Sequence, residues 1–77
     1  MIKLVVLNNH TLGYIIPEIP NCVQILHSSV LKGATNNGYS VPFNLSDSIE
    51  LASERDFEEF RVTFDGYKND KNYEYRH

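Results

Sequence analysis

The chain has few of the residues that cross-link a fold or interrupt its helices and strands. It has one cysteine, Cys22, no tryptophan, four glycines and three prolines in 77 residues. A single cysteine excludes an intrachain disulfide and fits a reducing compartment better than secretion. A chain of this length forms one domain at most and buries only roughly 60% of its unfolded surface. We therefore expect a thin core that is supplemented by self-association or by docking on a partner.

Long hydrophobic runs are also absent. No stretch approaches the roughly 18 apolar residues that a membrane span requires. The first apolar run, residues 2–7, ends at Asn8-Asn9-His10 and is shorter than the hydrophobic region of most signal peptides. The sequence therefore predicts a cytoplasmic protein with no membrane partner.

The motifs of common catalytic and cofactor sites are missing. The glycines form no phosphate-binding loop or dinucleotide fingerprint, and there is no Gly-x-Ser-x-Gly element. His10, His27, His77 and Cys22 show none of the spacings of zinc ligands. We therefore predict a protein that is not an enzyme, with no catalytic residue, no cofactor and no metal.

Basic residues are few, and the charge is unevenly distributed. Residues 47–59 hold six acids and one base, a net charge of −5, whereas the remaining residues carry +2. Phosphate contacts need clustered lysine and arginine, so this pattern argues against direct binding of nucleic acid. A local acidic cluster can instead steer a basic protein partner.

The N-terminal sequence predicts a β-hairpin. Residues 2–7 are apolar and rich in β-branched side chains, which favours a strand. Asn8-Asn9-His10-Thr11 has turn chemistry, because asparagine tolerates a left-handed backbone. The apolar run resumes at residues 12–16, and Pro17 and Pro20 then end the pairing.

Residues 22–32 are compatible with two structures. Asn21 and Gly33 could cap a helix whose apolar face includes Val23 and Leu26. The Asn37-Gly38 pair is a strong hairpin signal, however, and needs a strand on each side. Residues 39–43 can supply one of them, which favours strands over 22–32 and leaves the helix as the alternative.

The stretch from Ser53 to Val62, SERDFEEFRV, predicts a short helix. Ser53 and Asp56 have the spacing of a capping box. Phe57 and Phe60 share one face, whereas Glu58 and Glu59 fall on the outer side. Ile49 and Leu51 before the helix, and residues 62–64 after it, alternate as strands do.

The predicted fold is a small, β-rich α+β domain. It contains an antiparallel meander or open barrel of four to five strands, with one short helix near residues 53–60. Residues 1–66 form a single globular domain. Residues 67–77 hold three tyrosines and no aliphatic side chain, and they form an edge hairpin or a tail that orders on a partner.

The composition favours a non-enzymatic protein–protein interaction module, homo-oligomeric or docked on a basic host protein. Eight asparagines and five tyrosines indicate an AT-rich coding sequence, as in a phage or mobile element, whose accessory proteins include inhibitors of host factors. The alternative is a nucleotide or metabolite binder with its site between subunits. Tyrosine and arginine dominate interface hot spots. The predicted partner-binding residues are Asp56, Glu58, Glu59, Tyr73, Tyr75 and Arg76.

Overall fold

The computed structural model describes residues 1–28, 40–68 and 70–76, which form one sheet and one helix. The sheet order is β4-β3-β2-β1-β5, and β6 also pairs with β1. This β-rich fold with one short helix confirms the predicted class. The elements are β1 (Ile2–Leu7), β2 (Thr11–Ile15), β3 (Cys22–Ser28), β4 (Ser40–Pro42), β5 (Ile49–Leu51), α1 (Glu54–Glu59) and β6 (Tyr73–Glu74).

The predicted N-terminal hairpin is present. β1 and β2 pair in antiparallel register from Lys3 opposite Ile15 to Leu7 opposite Thr11. Asn8 and Asn9 adopt positive φ angles of 50° and 62° in the connecting turn. Asparagine is one of the few residue types that adopts this backbone readily, so the turn forms at the position where the sequence places two of them.

Residues 22–28 are a strand, so the helical alternative is wrong over this range. The rest of that segment and the Asn37-Gly38 hairpin prediction lie outside the described residues. A β-bulge interrupts the pairing of β2 with β3 where the register shifts between Leu12 and Gly13. Its extra residue brings the consecutive Leu26 and His27 side chains to the same side of the sheet, where they pack against the helix side of the core.

The central strand β1 is buried on both faces, because its alternate side chains supply two separate clusters. Leu4 and Val6 face the helix, and Val5 and Leu7 face the opposite side. The helix-side cluster consists of the buried residues Leu4, Val6, Leu12, Ala52, Phe57 and Phe64. The second cluster consists of Val5, Leu7, Val23 and Ile25.

The short link between the two edge strands indicates that the sheet curls toward the second cluster. A link of six residues, 43–48, joins β4 to β5, which are the two ends of the sheet order. Neighbouring strands lie about 4.8 Å apart, so a flat sheet would separate these edges by about 19 Å. The link also contains a tight turn, so it has little length to spare. Phe43 and Ile49, at its two ends, accordingly pack on the same cluster.

Helix α1 begins as the sequence predicts. The Ser53 hydroxyl accepts from the Asp56 amide (3.3 Å), and the Asp56 carboxylate accepts from the Ser53 amide (2.8 Å), which completes a capping box. Phe57 is fully buried and Phe60 is half-buried, so their common face holds the helix to the sheet. Within the described part of the chain, no helix has the length and apolar character needed to span a membrane.

The predicted strand at residues 62–64 is wrong, because the helix ends with a left-handed residue, Arg61, directly after its C-cap Phe60. Arg61 has a φ of 59°, the Arg61 amide donates to the Glu58 carbonyl (3.0 Å), and the Val62 amide donates to the Phe57 carbonyl (2.9 Å). The Phe64 carbonyl then accepts from the Tyr67 amide (2.9 Å). These local bonds use the backbone groups that a strand would pair, and the alternating apolar residues pack on the helix-side cluster instead.

Replacing Arg61 with glycine is expected to stabilise the fold by about 1 kcal/mol. A left-handed residue with a Cβ atom costs roughly 1–2 kcal/mol, and glycine removes that cost at the position where helices usually place it. Arg61→Ala is the control, because it removes the exposed side chain but keeps the penalty. Urea unfolding followed by circular dichroism measures both variants. A gain of equal size in Arg61→Ala would attribute the effect to the arginine side chain instead.

Candidate functional site

Of the acids that the sequence assigns to partner binding, Asp56 lies in the N-terminal cap of α1, and Glu58 and Glu59 lie in its last turn. Asp56 is half-buried, and its carboxylate accepts from the Ser53 amide and from the Ser53 hydroxyl (3.1 Å). The Arg76 Nη2 atom lies 3.5 Å from the same carboxylate oxygen. Asp56 therefore has a complete structural role, and the structure places it beside Arg76, another residue of the predicted set.

Most of the acidic charge on α1 is balanced by nearby bases. Glu59 lies 3.5 Å from Arg55 on the exposed helix surface, and Glu54 lies 3.9 Å from Lys68. Glu58 is exposed and forms no ion pair with any residue in the described ranges. Exposed pairs of this kind contribute roughly 0–1 kcal/mol to stability, but they reduce the negative field that a basic partner would meet.

Tyr73 and Tyr75 belong to an aromatic cluster on the helix side of the sheet. The Tyr73 ring centroid lies 4.9 Å from that of Tyr67, and the Tyr75 centroid lies 4.9 Å from that of Phe64. Burial within this cluster raises the pKa of the Tyr67 hydroxyl, and the neighbouring Tyr73 contributes in the same direction. Both of the predicted partner-binding tyrosines are half-buried, so much of their surface already packs inside the chain.

The Tyr-rich segment joins the sheet through β6. Tyr73 and Glu74 pair in parallel with Ile2 and Lys3 of β1, an arrangement that the sequence does not predict. The Arg76 amide then donates to the Ala52 carbonyl (2.7 Å). These contacts place Tyr73, Tyr75 and Arg76 next to the start of α1.

Cys22 and His27 lie toward opposite ends of β3. Five residues of extended chain separate them by roughly 16 Å, which excludes a thiolate–imidazole pair. The His27 ring packs against Phe60, with centroids 5.9 Å apart. No group of three or more histidine, cysteine or acidic side chains within residues 1–28, 40–68 and 70–76 could hold a metal ion.

A concave apolar groove lies on the sheet face opposite α1, with a volume of about 830 Å³. Strands β1, β2 and β5 form its floor, and the 43–48 link forms one wall. Most of its lining is apolar, including Val5, Ile15, Phe43, Ile49 and Leu51. Met1 and Leu45, which are 67% and 105% exposed, also line it.

The 43–48 link presents Leu45 from a rigid turn. The Asp47 carboxylate accepts from the Asn44 amide (2.9 Å), and the Asn44 side-chain oxygen accepts from the Ser46 amide (2.9 Å). The turn is anchored to the first hairpin, because the Asn8 amide donates to the Ser48 carbonyl and the Ser48 amide donates to the Asn8 side chain, each at 2.7 Å. Leu45 is therefore exposed on a turn that is already ordered.

The edge of the groove carries more acid than base. Among the described residues, the charged side chains that line it are Asp47, Glu74 and Lys3. Hydrogen bonds, first from the Asn44 amide and then from the Asn8 side chain, hold the pKa of the Asp47 carboxyl below its usual range, so this acid stays ionised at neutral pH. An adjoining cleft, which shares Met1 and Pro17 with the groove, adds two more acids, Glu18 and Asp70.

Comparison of the chain with protein-family models, with curated proteins and with solved structures finds no match. The geometry of the site is therefore the evidence on which a function can be argued.

The sequence did not point to the groove. Both faces of β1 are apolar, so the alternation of side chains does not show which face the helix covers. The one local signal is Leu45, an aliphatic residue between Asn44 and Ser46 in an otherwise polar turn. Turns are usually polar, and an apolar side chain at such a position indicates either burial or a contact with another molecule.

Proposed function

We propose that this protein is a non-enzymatic interaction module of the cytoplasm that buries its open sheet face on another protein. The apolar groove with Leu45 at its edge is the observation that supports this function. A sheet normally buries each apolar face against a second layer; among the described residues, α1 supplies this layer on one face, and the groove lies on the other. A contiguous apolar surface rimmed by polar residues is typical of a protein-binding site.

The order of the groove also favours binding. The hydrogen-bonded turn fixes Leu45 before any partner arrives, so little conformational entropy remains to be lost on association. Full burial of a leucine side chain contributes about 1.5–3 kcal/mol. The partner is a second copy of the chain or a basic host protein, as an accessory protein or inhibitor from a phage or mobile element would bind.

A small-ligand site is the second candidate, because the groove volume falls within the range of about 300–1,000 Å³ that is typical of ligand pockets. Such pockets also carry a few convergent polar groups that orient the ligand. The polar side chains here are Lys3, Asn44, Asp47 and Glu74, and those of Asn44 and Asp47 already accept hydrogen bonds within the turn. Protein binding therefore accounts better for the lining.

Retention of a protein partner by the immobilised chain tests the function. We expect the wild type to retain a partner from an extract of the cells that express it, or to self-associate at tens of micromolar in light scattering. Leu45→Ser should weaken either interaction about tenfold or more, because it removes the most exposed apolar side chain of the groove. Ile19→Ser is the matched control, since Ile19 is also exposed (44%) but does not line the groove.

The results of these measurements distinguish a protein-binding groove from a wider interface and from a small-ligand site. Loss of binding in both serine variants would place the interface on a wider surface, whereas loss in Leu45→Ser alone supports the groove. A wild-type chain that stays monomeric and retains no protein contradicts the proposed function. Retention of a small molecule, identified by mass spectrometry of the purified chain and displaced by no protein, would favour the second candidate.

A further inference from the structure

We propose that the groove binds a basic amphipathic segment of another protein, with apolar side chains on its floor and lysine or arginine side chains along its acidic edge. This inference rests on the proposed function and names the class of partner. It depends on the combination of an apolar lining with an edge of one predominant charge. Neither feature alone would identify an occupant.

The charges around the groove determine the choice of partner. Asp47 and Glu74 in the groove, with Glu18 in the adjoining cleft, carry negative charge near an apolar surface. Among the described residues, Lys3 is the one basic side chain that lines the groove, and it pairs in register with Glu74 on the neighbouring strand. Cross-strand neighbours of opposite charge attract each other, so Lys3 is partly balanced within the chain. The remaining field favours a positively charged ligand.

The same charges disfavour a second copy as the occupant. In a two-fold dimer the same surface patch is used by both subunits. Acidic edges that surround apolar floors would then approach each other, and juxtaposed like charges weaken association. A basic amphipathic segment places apolar side chains on the floor of the groove and basic side chains along its acidic edge, so it is complementary to both.

The groove also differs from the acidic helix in what it offers to a ligand. On α1, the charges of Glu54, Asp56 and Glu59 are each within 4 Å of a base, and the buried face of the helix is occupied by its own core. Around the groove, the acids adjoin exposed apolar side chains. An amphipathic segment needs both kinds of contact, and only the groove face supplies both among the described residues.

Fluorescence anisotropy with synthetic peptides tests the inference. The probe is a labelled 14-residue peptide of leucine and lysine with one apolar face. One comparison peptide has glutamate in place of lysine, and the other has serine in place of leucine. We expect the leucine–lysine peptide to bind at least tenfold more tightly than either comparison peptide. Its association rate should fall as salt is added, because rim charges act mainly on association.

Variants of the protein locate the binding site of the probe. Leu45→Ser should weaken binding about tenfold or more. The double variant Glu18→Gln/Glu74→Gln should weaken it about two- to fivefold through lost rim charge. The matched control is Glu58→Gln/Glu59→Gln, which removes the same charge from the exposed surface of α1 and should leave binding unchanged.

Three results would overturn the inference. Equal binding of the leucine–glutamate peptide would remove the role of charge. Weaker binding in the Glu58→Gln/Glu59→Gln variant, with the groove variants unchanged, would assign the basic partner to the helix. A wild-type dimer that Leu45→Ser dissociates would make a second copy the occupant. In that last case the interaction module stands and only the class of partner is wrong, whereas a monomer that binds no protein contradicts both proposals.

Discussion

Replacing Phe57 with alanine is expected to lower the free energy of unfolding by about 3–5 kcal/mol, the typical range for a buried aromatic residue. Phe57 is fully buried, and its ring centroid lies 4.9 Å from that of Phe64 and 5.3 Å from that of Tyr67. Removal of the ring leaves a cavity under the helix and also removes these two aromatic contacts. A domain of this size has a total stability of roughly 4–12 kcal/mol, so the loss is a large fraction of it.

Urea unfolding monitored by circular dichroism measures this loss, and Phe60→Ala is the control. Phe60 is half-buried at the C-cap, so its removal should cost less, about 1–2 kcal/mol. Phe57→Leu keeps most of the apolar volume and provides a folded variant if Phe57→Ala does not fold. A loss below about 1 kcal/mol in Phe57→Ala would contradict the central position that the structure gives to this ring.

The hairpin and the helix could be predicted because their signals are local. Asn8 and Asn9 occupy the two left-handed positions of the first turn, which few other residue types adopt readily. Ser53 and Asp56 form the capping box that their spacing indicates. In both cases the residues that determine the structure lie within four positions of one another, so no knowledge of the rest of the chain is needed.

Two other elements depend on distant contacts, and sequence patterns did not reveal them. The pairing of Tyr73 and Glu74 with β1 is parallel and joins the two ends of the described chain. Residues 62–64 have the alternation of a strand, but the left-handed backbone at Arg61 turns them into the aromatic cluster. The alternation correctly predicts that Val62 and Phe64 contact the core. It does not predict the backbone conformation of residues 62–64.

The candidate site was the least predictable part of the molecule. The charge pattern and the tyrosine content predict Asp56, Tyr73 and Tyr75 as partner-binding residues, and the structure gives these residues roles in the cap and in the aromatic cluster. The groove arises from the curl of the sheet and from the path of the 43–48 link, which are tertiary properties. Leu45, an aliphatic residue in a polar turn, is the one local signal, and only its exposure shows that it is not part of the core.

Replacing Gly13 with alanine is expected to destabilise the fold by about 3 kcal/mol, the upper end of the usual effect of overpacking. A Cβ atom at Gly13 would lie 2.6 Å from the Val23 Cγ1 atom and would overlap the backbone carbonyl oxygen of Gln24. The Val23 side chain is fully buried and has no space into which to move. The carbonyl belongs to strand β3, whose hydrogen bonds with β2 hold it in place next to the bulge.

Gly66→Ala is the matched control, because a Cβ atom there would meet nothing within 4 Å. Removal of a glycine reduces the conformational freedom of the unfolded chain, so this variant should be neutral or more stable by about 0.4–1 kcal/mol. Urea unfolding of the two alanine variants therefore gives effects of opposite sign from the same chemical change. Similar stabilities for both would show that β2 and β3 can separate at the bulge without loss. In that case the close approach at Gly13 would not be what fixes the register of the two strands.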